Sequence, residues 1–159
     1  MKREEITTDV HGSSGSGRSY QLTMYNSIGQ ISLLAGFVDI IATENGLDQS
    51  LALKINLAIE EAVTNIIMYA YPQGTTGRVI LEAVVEGDVL KIILSDYGKE
   101  FDPTSVPEAD ITASVENRHI GGLGIHLVRT IMDDVSYKRE DGKNILTMIT
   151  RIKREVQIP

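Results

Sequence analysis

The sequence predicts an α/β two-layer sandwich, in which one mixed, mostly antiparallel sheet carries helices packed on one face. Three observations lead there. Segments of period two and of period 3.6 follow one another as strand, helix, helix, hairpin, loop, helix, hairpin. Helical and strand segments are partly segregated along the chain. The 159 residues are 42% hydrophobic and 23% charged, enough for one domain with a sizeable core.

Each element has its own signal. "YQLTMYN" (20–26) alternates as a strand does. "IGQISLLAGFVDIIATENG" has helical spacing and stops at Gly46, a natural residue just past a helix end. Asp48 or Ser50 can cap the next helix, expected from about Leu51 to Tyr71, before Pro72. "RVILEAVVEGDVLKIILSD" reads as a hairpin turning at Gly87-Asp88, and "VSYKREDGKNILTMITRI" as another turning at Asp141-Gly142. Between the hairpins lie a polar stretch, 97–121, and a short helix over about 123–132. "HGSSGSGRS" (11–19) has linker composition. Residues 1–18 are therefore expected to be a flexible N-terminal segment, and 19–156 a single domain.

Composition narrows the function. Net charge is −7 and no concentrated basic patch is visible, which argues against direct nucleic-acid binding. The cations of "RIKREV" alternate like the solvated face of a strand. No apolar run approaches the roughly 18–20 residues of a membrane helix, and no secretory signal opens the chain. There is no cysteine, which excludes disulfides and thiolate metal sites and fits a reducing, cytoplasmic setting. A small anion such as a nucleotide remains compatible with this charge, because backbone N–H groups can hold phosphate.

Three segments carry chemistry. On a helical wheel, Leu51, Ile55, Ile59, Ala62, Val63 and Ile66 form one apolar arc and Leu53, Leu57 and Met68 a second. Asn56 and Glu60 fall between the arcs on one side, and Lys54, Glu61 and Asn65 on the other. One polar stripe is expected to meet solvent and the other a pocket, where Glu61 and Asn65, on adjacent turns, can converge on one ligand. Alone, the pair also reads as an i,i+4 hydrogen bond on a solvated face. In "LSDYGKEFDP" (94–103), a strand-ending Asp96 can accept from an exocyclic amine, and Gly98 leaves room for a flat ring. It is equally an ordinary Asp-x-Gly turn. In "HIGGLGIHLVRTIMD" (119–133), Gly121, Gly122 and Gly124 precede a helix and can wrap N–H groups around phosphate, or serve as a hinge.

Together, in this order and spacing, the three segments resemble the N, G1 and G2 boxes of the GHKL ATPases. "EAVTN", the "FDP" after the G1 box and "IHLVR" after the G2 box are similar in particular to the anti-sigma-factor serine/threonine kinases. The resemblance covers about residues 20–152. It implies a Bergerat-type ATP-binding fold and ATP and Mg²⁺ as cofactors. It implies a small antagonist protein as the phosphorylated substrate in a partner-switching circuit and a sigma factor as a second partner, and it leaves a homodimer open. Glu61 would orient or deprotonate the attacking hydroxyl, and Asn65 would contact Mg²⁺. Asp96 would take the adenine amine, Gly98 would give clearance and Thr147, closing "NILT", would support the base through water. Gly122 and Gly124 would bind phosphate, under a lid over 103–121. Glu60, on the other stripe, is set aside as the base. One departure is Glu100, where the superfamily usually has a second G1 glycine. It favours an alternative in which the protein is a non-catalytic, nucleotide-gated binding module. A detached histidine-kinase catalytic domain is disfavoured, because no helix pair carries an acceptor histidine; His11 is in the linker, and His119 and His126 have no partner at ligand spacing.

Overall fold

The computed structural model describes residues 6–9, 17–105 and 122–154. The linker stretch 10–16, most of the expected lid (106–121, with Gly121 and His119) and 155–159 lie outside them. Six strands form one sheet: β1 (Ile6–Asp9), β2 (Arg18–Tyr25), β3 (Arg78–Glu86), β4 (Val89–Asp96), β5 (Asp134–Glu140) and β6 (Lys143–Arg151). Their order across the sheet is β1-β2-β3-β4-β6-β5. Three helices, α1 (Ser32–Asn45), α2 (Gln49–Asn65) and α3 (Gly122–Ile131), complete the second layer.

The two-layer sandwich is as the sequence predicts, but the pairing is not mixed. Every ladder among the described residues is antiparallel. The β4–α3–β5 passage does bring two strands into the same direction, yet β6 folds back from β5 and inserts between them. Residues 6–9, grouped with the flexible N-terminal segment, instead pair with β2 as an edge strand.

Local chemistry explains the element ends. Gly46 adopts φ 63°, ψ 37°, the left-handed geometry that closes α1. Of the two candidate caps for α2, Asp48 is used: its side chain accepts from the Ser50 N–H at 2.7 Å. Asp141 and Gly142 both have positive φ, 51° and 77°, as a two-residue hairpin of this twist requires. α2 ends at Asn65 rather than near Tyr71, and the chain continues as one π-helical turn, Ile66–Ala70.

The core lies between the layers. Leu22, Met24, Leu81, Ala83, Ile92, Leu94 and Met148 point inward from the strands to meet Phe37, Ile41, Ile55, Ile59, Val63 and Val128 of the helices. The first apolar arc of α2 is thus buried, apart from half-buried Leu51. The second is not: Leu53 is 68% exposed and Met68 52%. Among the described residues no helix is long and apolar enough to cross a membrane.

Candidate functional site

A cleft opens where α2 ends, beside the start of α3 and the Asp96 end of β4. Ala62, Ile66, Ala70, Leu94, Ile125 and Leu146 give it apolar walls. Phe101, Tyr137 and Pro103, the first residue of the expected lid, also line it, and the polar lining is Asn65, Asp96 and Asn144. A mostly apolar cleft with few fixed polar groups has the general character of a small-molecule site.

At one end stands Asn65, on which Glu61, itself outside the lining, converges. A Cβ built on Gly124 would lie 3.1 Å from Glu61 Oε2, 3.1 Å from Asn65 Nδ2 and 3.6 Å from Asn65 Oδ1. Both side-chain tips therefore reach the same point on α3, and this glycine leaves them room. Asn65 is buried and Glu61 half-buried. Glu60 does face elsewhere; its carboxylate accepts from Asn56 Nδ2 at 3.2 Å. Gly122 and Gly124 lie within the first turn of α3 rather than in a loop before it. Gly124 is buried, a packing glycine at the helix–helix contact.

At the other end, Asp96 is only 2% exposed. Its Oδ1 accepts from the Gly98 N–H and from Asn144 Nδ2, each at 2.9 Å. Burial raises its pKa above the ordinary carboxylate value, while those two hydrogen bonds and the Arg139 charge pull it back. Gly98 has a different cause from the one expected. A Cβ there would sit 2.4 Å from the Ala70 carbonyl oxygen. The turn after β4 docks on the π-helical turn, with Lys99 N–H donating to the same carbonyl at 2.8 Å. Close backbone packing is by itself enough to require the glycine.

Thr147 is a correction. Asn144, Leu146 and Met148 face inward, so Thr147 has the opposite parity and points to the outer face of the sheet. The residue opposite Asp96 in the β4–β6 ladder is Asn144, which the sequence reading missed. The two-residue turn at Asp141-Gly142 was the available signal, because it sets which β6 residues share a face. Glu100 is exposed and does not line the cleft.

Tyr71 braces the far side of the Gly98 turn. Its hydroxyl donates to Arg78 O at 2.7 Å and accepts from Tyr97 N–H at 2.8 Å. Among the described residues no group of three His, Asp or Glu side chains could cage a metal. The Asn65 amide oxygen beside Glu61 suits an ion that keeps its waters and takes its other ligands from phosphate.

Known proteins resemble this chain in sequence and in fold. Residues 26–150 match the histidine kinase-like ATPase domain family. The chain is 29% identical over 138 residues to the serine-protein kinase RsbW of Listeria monocytogenes, covering 84% of this chain and 83% of that one. It is 35% identical over 105 residues to RsbW of Bacillus cereus, 64% of each chain. A crystal structure of RsbU and RsbW domains from Mycobacterium tuberculosis superposes with a TM-score of 0.63 at 17% identity, over 89% of this chain and 34% of that one. With the family match spanning both ends of the cleft, the chain belongs to the histidine kinase-like ATPase domain family.

Proposed function

We propose that the protein is an ATP-dependent serine/threonine protein kinase of the anti-sigma-factor type, which phosphorylates a small antagonist protein in a partner-switching circuit. The observation that carries this is the convergence of Glu61 and Asn65 on Gly124, with Asn65 lining the same cleft as the buried Asp96 carboxylate. The similarity to serine-protein kinases in two organisms supports it. Asp96 receives the adenine amine, and the apolar walls sandwich the ring. Asn65 offers its amide oxygen to Mg²⁺, which when bound neutralises phosphate charge. The first turn of α3, with Gly122 and Gly124, presents N–H groups to the phosphates. Glu61 accepts the proton of the substrate hydroxyl as its oxygen bonds to the γ-phosphorus, the bond to the bridging oxygen breaks and ADP leaves.

The binding-module alternative drew its weight from Glu100. That carboxylate is exposed and outside the cleft lining, and its charge reaches the cleft only through Tyr137. Incubation with Mg-ATP and a candidate antagonist protein, followed by intact mass, tests the proposal. A gain of one phosphate on the antagonist is expected. Nucleotide binding with no transfer to any antagonist that forms a complex would replace the kinase with the binding module.

A further inference from the structure

We propose that Asn144 is a positioning residue that sets the purine preference of the cleft, by fixing the Asp96 carboxylate so that one oxygen alone is offered to a 6-amino purine. The proposal rests on the nucleotide-binding reading above and deepens it.

Asn144 is 5% exposed and lies directly opposite Asp96 across the β4–β6 ladder. Its Nδ2 donates to Asp96 Oδ1 at 2.9 Å and to the Lys99 carbonyl at 2.8 Å. Its Oδ1 accepts from Tyr137 Oη at 2.6 Å, Arg139 Nη1 at 3.0 Å and Phe101 N–H at 3.3 Å. Both amide hydrogens and the carbonyl are therefore occupied, so Asn144 has no capacity left for a ligand. Nor can the amide turn over. The flipped form would set its oxygen against the Lys99 carbonyl and Asp96 Oδ1, and its N–H groups against the Arg139 and Phe101 donors.

The consequence falls on Asp96. Oδ1 is filled from behind by Asn144 and by the Gly98 N–H. Oδ2 has no donor among the described residues, and Asp96 lines the cleft. A carboxylate held in this way can only accept, and only through one atom. It matches the amine at C6 of adenine and repels the oxygen that a 6-oxo purine carries there. Without Asn144 the carboxyl group is held by the Gly98 N–H alone and turns more easily, since that torsion has broad minima. It also loses a hydrogen bond that favours its ionised form, and a protonated carboxyl donates to a 6-oxo group. Arg139 adds a second tie, donating to the Gly98 carbonyl at 3.1 Å. Tyr137 and Arg139 both belong to β5, the edge strand, so part of the base preference is set outside the three motif segments.

Calorimetric titration of the whole chain with Mg-ATP and Mg-ITP, which differ in the purine C6 group, is the test. Wild type is expected to prefer ATP. Asn144→Leu, close in size but without hydrogen bonds, is expected to narrow the ATP-to-ITP ratio by about tenfold or more, chiefly through weaker ATP binding. Tyr137→Phe removes the 2.6 Å bond to Asn144, and with it the hydroxyl's contact with Arg139, and is expected to narrow the ratio less, in the same direction. If Asn144→Leu does not fold, Tyr137→Phe decides. Folded variants that keep the wild-type ratio, or lose both nucleotides equally, overturn the proposal and leave the nucleotide reading standing. Wild-type protein that binds neither nucleotide overturns both.

Discussion

Under the proposed function, Asp96 serves nucleotide binding at the expense of stability. Its pKa is raised chiefly by burial, so the folded protein holds this proton to higher pH than the unfolded chain does. Stability therefore falls as pH rises through the unfolded value towards the folded one, and the loss persists above it. Asp96→Asn keeps an acceptor for Asn144 and for the Gly98 N–H but removes the buried charge. Without nucleotide, the variant is expected to melt higher than wild type at neutral pH, with the difference vanishing below both pKa values. Its ATP affinity should nevertheless fall about tenfold to a hundredfold, because an amide donor can then face the adenine amine. Thermal melts across pH and calorimetric titration check the two halves. The partners at the other end separate differently. Glu61→Gln keeps length and hydrogen bonding but loses the basic oxygen, so phosphoryl transfer should drop by about 10²–10⁴-fold with nucleotide affinity little changed. Asn65→Ala should lose Mg²⁺-dependent affinity as well as turnover. Full transfer activity in Glu61→Gln would remove the general base from the mechanism.

The site is assembled where elements meet, and two glycines mark the meetings. Gly98 lets the turn after β4 lie against the end of the π-helical turn, and Gly124 lets the first turn of α3 face the Glu61–Asn65 stripe of α2. The obstacles differ in kind. An added methyl at Gly98 meets backbone at 2.4 Å, whereas at Gly124 it meets side-chain ends at 3.1 Å. Gly98→Ala should therefore cost stability, about 1–3 kcal/mol by the usual range for overpacking, read by denaturant unfolding. Gly124→Ala should cost much less stability but displace Glu61 and Asn65, so its signature is lost transfer in a normally stable protein. The π-helical turn has a related part. It begins immediately after Asn65, and such turns recur at functional sites because they reorient side chains without ending a helix.

One core joins the sheet to all three helices, and the cleft is cut into its edge, with Leu94, Ile125 and Leu146 belonging to both. Ligand and fold should therefore be strongly linked. A single cooperative unfolding transition is expected, shifted upward by Mg-ATP. At a free concentration of about 100 times Kd the gain is about 2.7 kcal/mol, or roughly 5–10 °C for a chain of this size. Calorimetric scans with and without nucleotide check this. Two transitions, with only one responding to nucleotide, would contradict a cleft that shares its walls with the core.

Much of this was legible in the linear order of residues. Strand and helix periods placed the principal elements, because burial of one face imposes period two or 3.6 on any chain. The spacing of Glu61 and Asn65 put both on one stripe, and Gly46 and the Asp141-Gly142 pair announced their backbone geometry. What the sequence left undecided depended on contacts between distant segments. Strand β6 carries Leu146 and Met148 on one face and Ile145 and Ile149 on the other. Its alternation therefore could not say which face was inward, and Thr147 was placed in the cleft instead of Asn144. The insertion of β6 between β4 and β5, the Ala70 carbonyl behind Gly98 and the side-chain tips in front of Gly124 likewise join residues far apart in the chain. Each is fixed by packing of completed elements, an interaction between surfaces that no local period encodes.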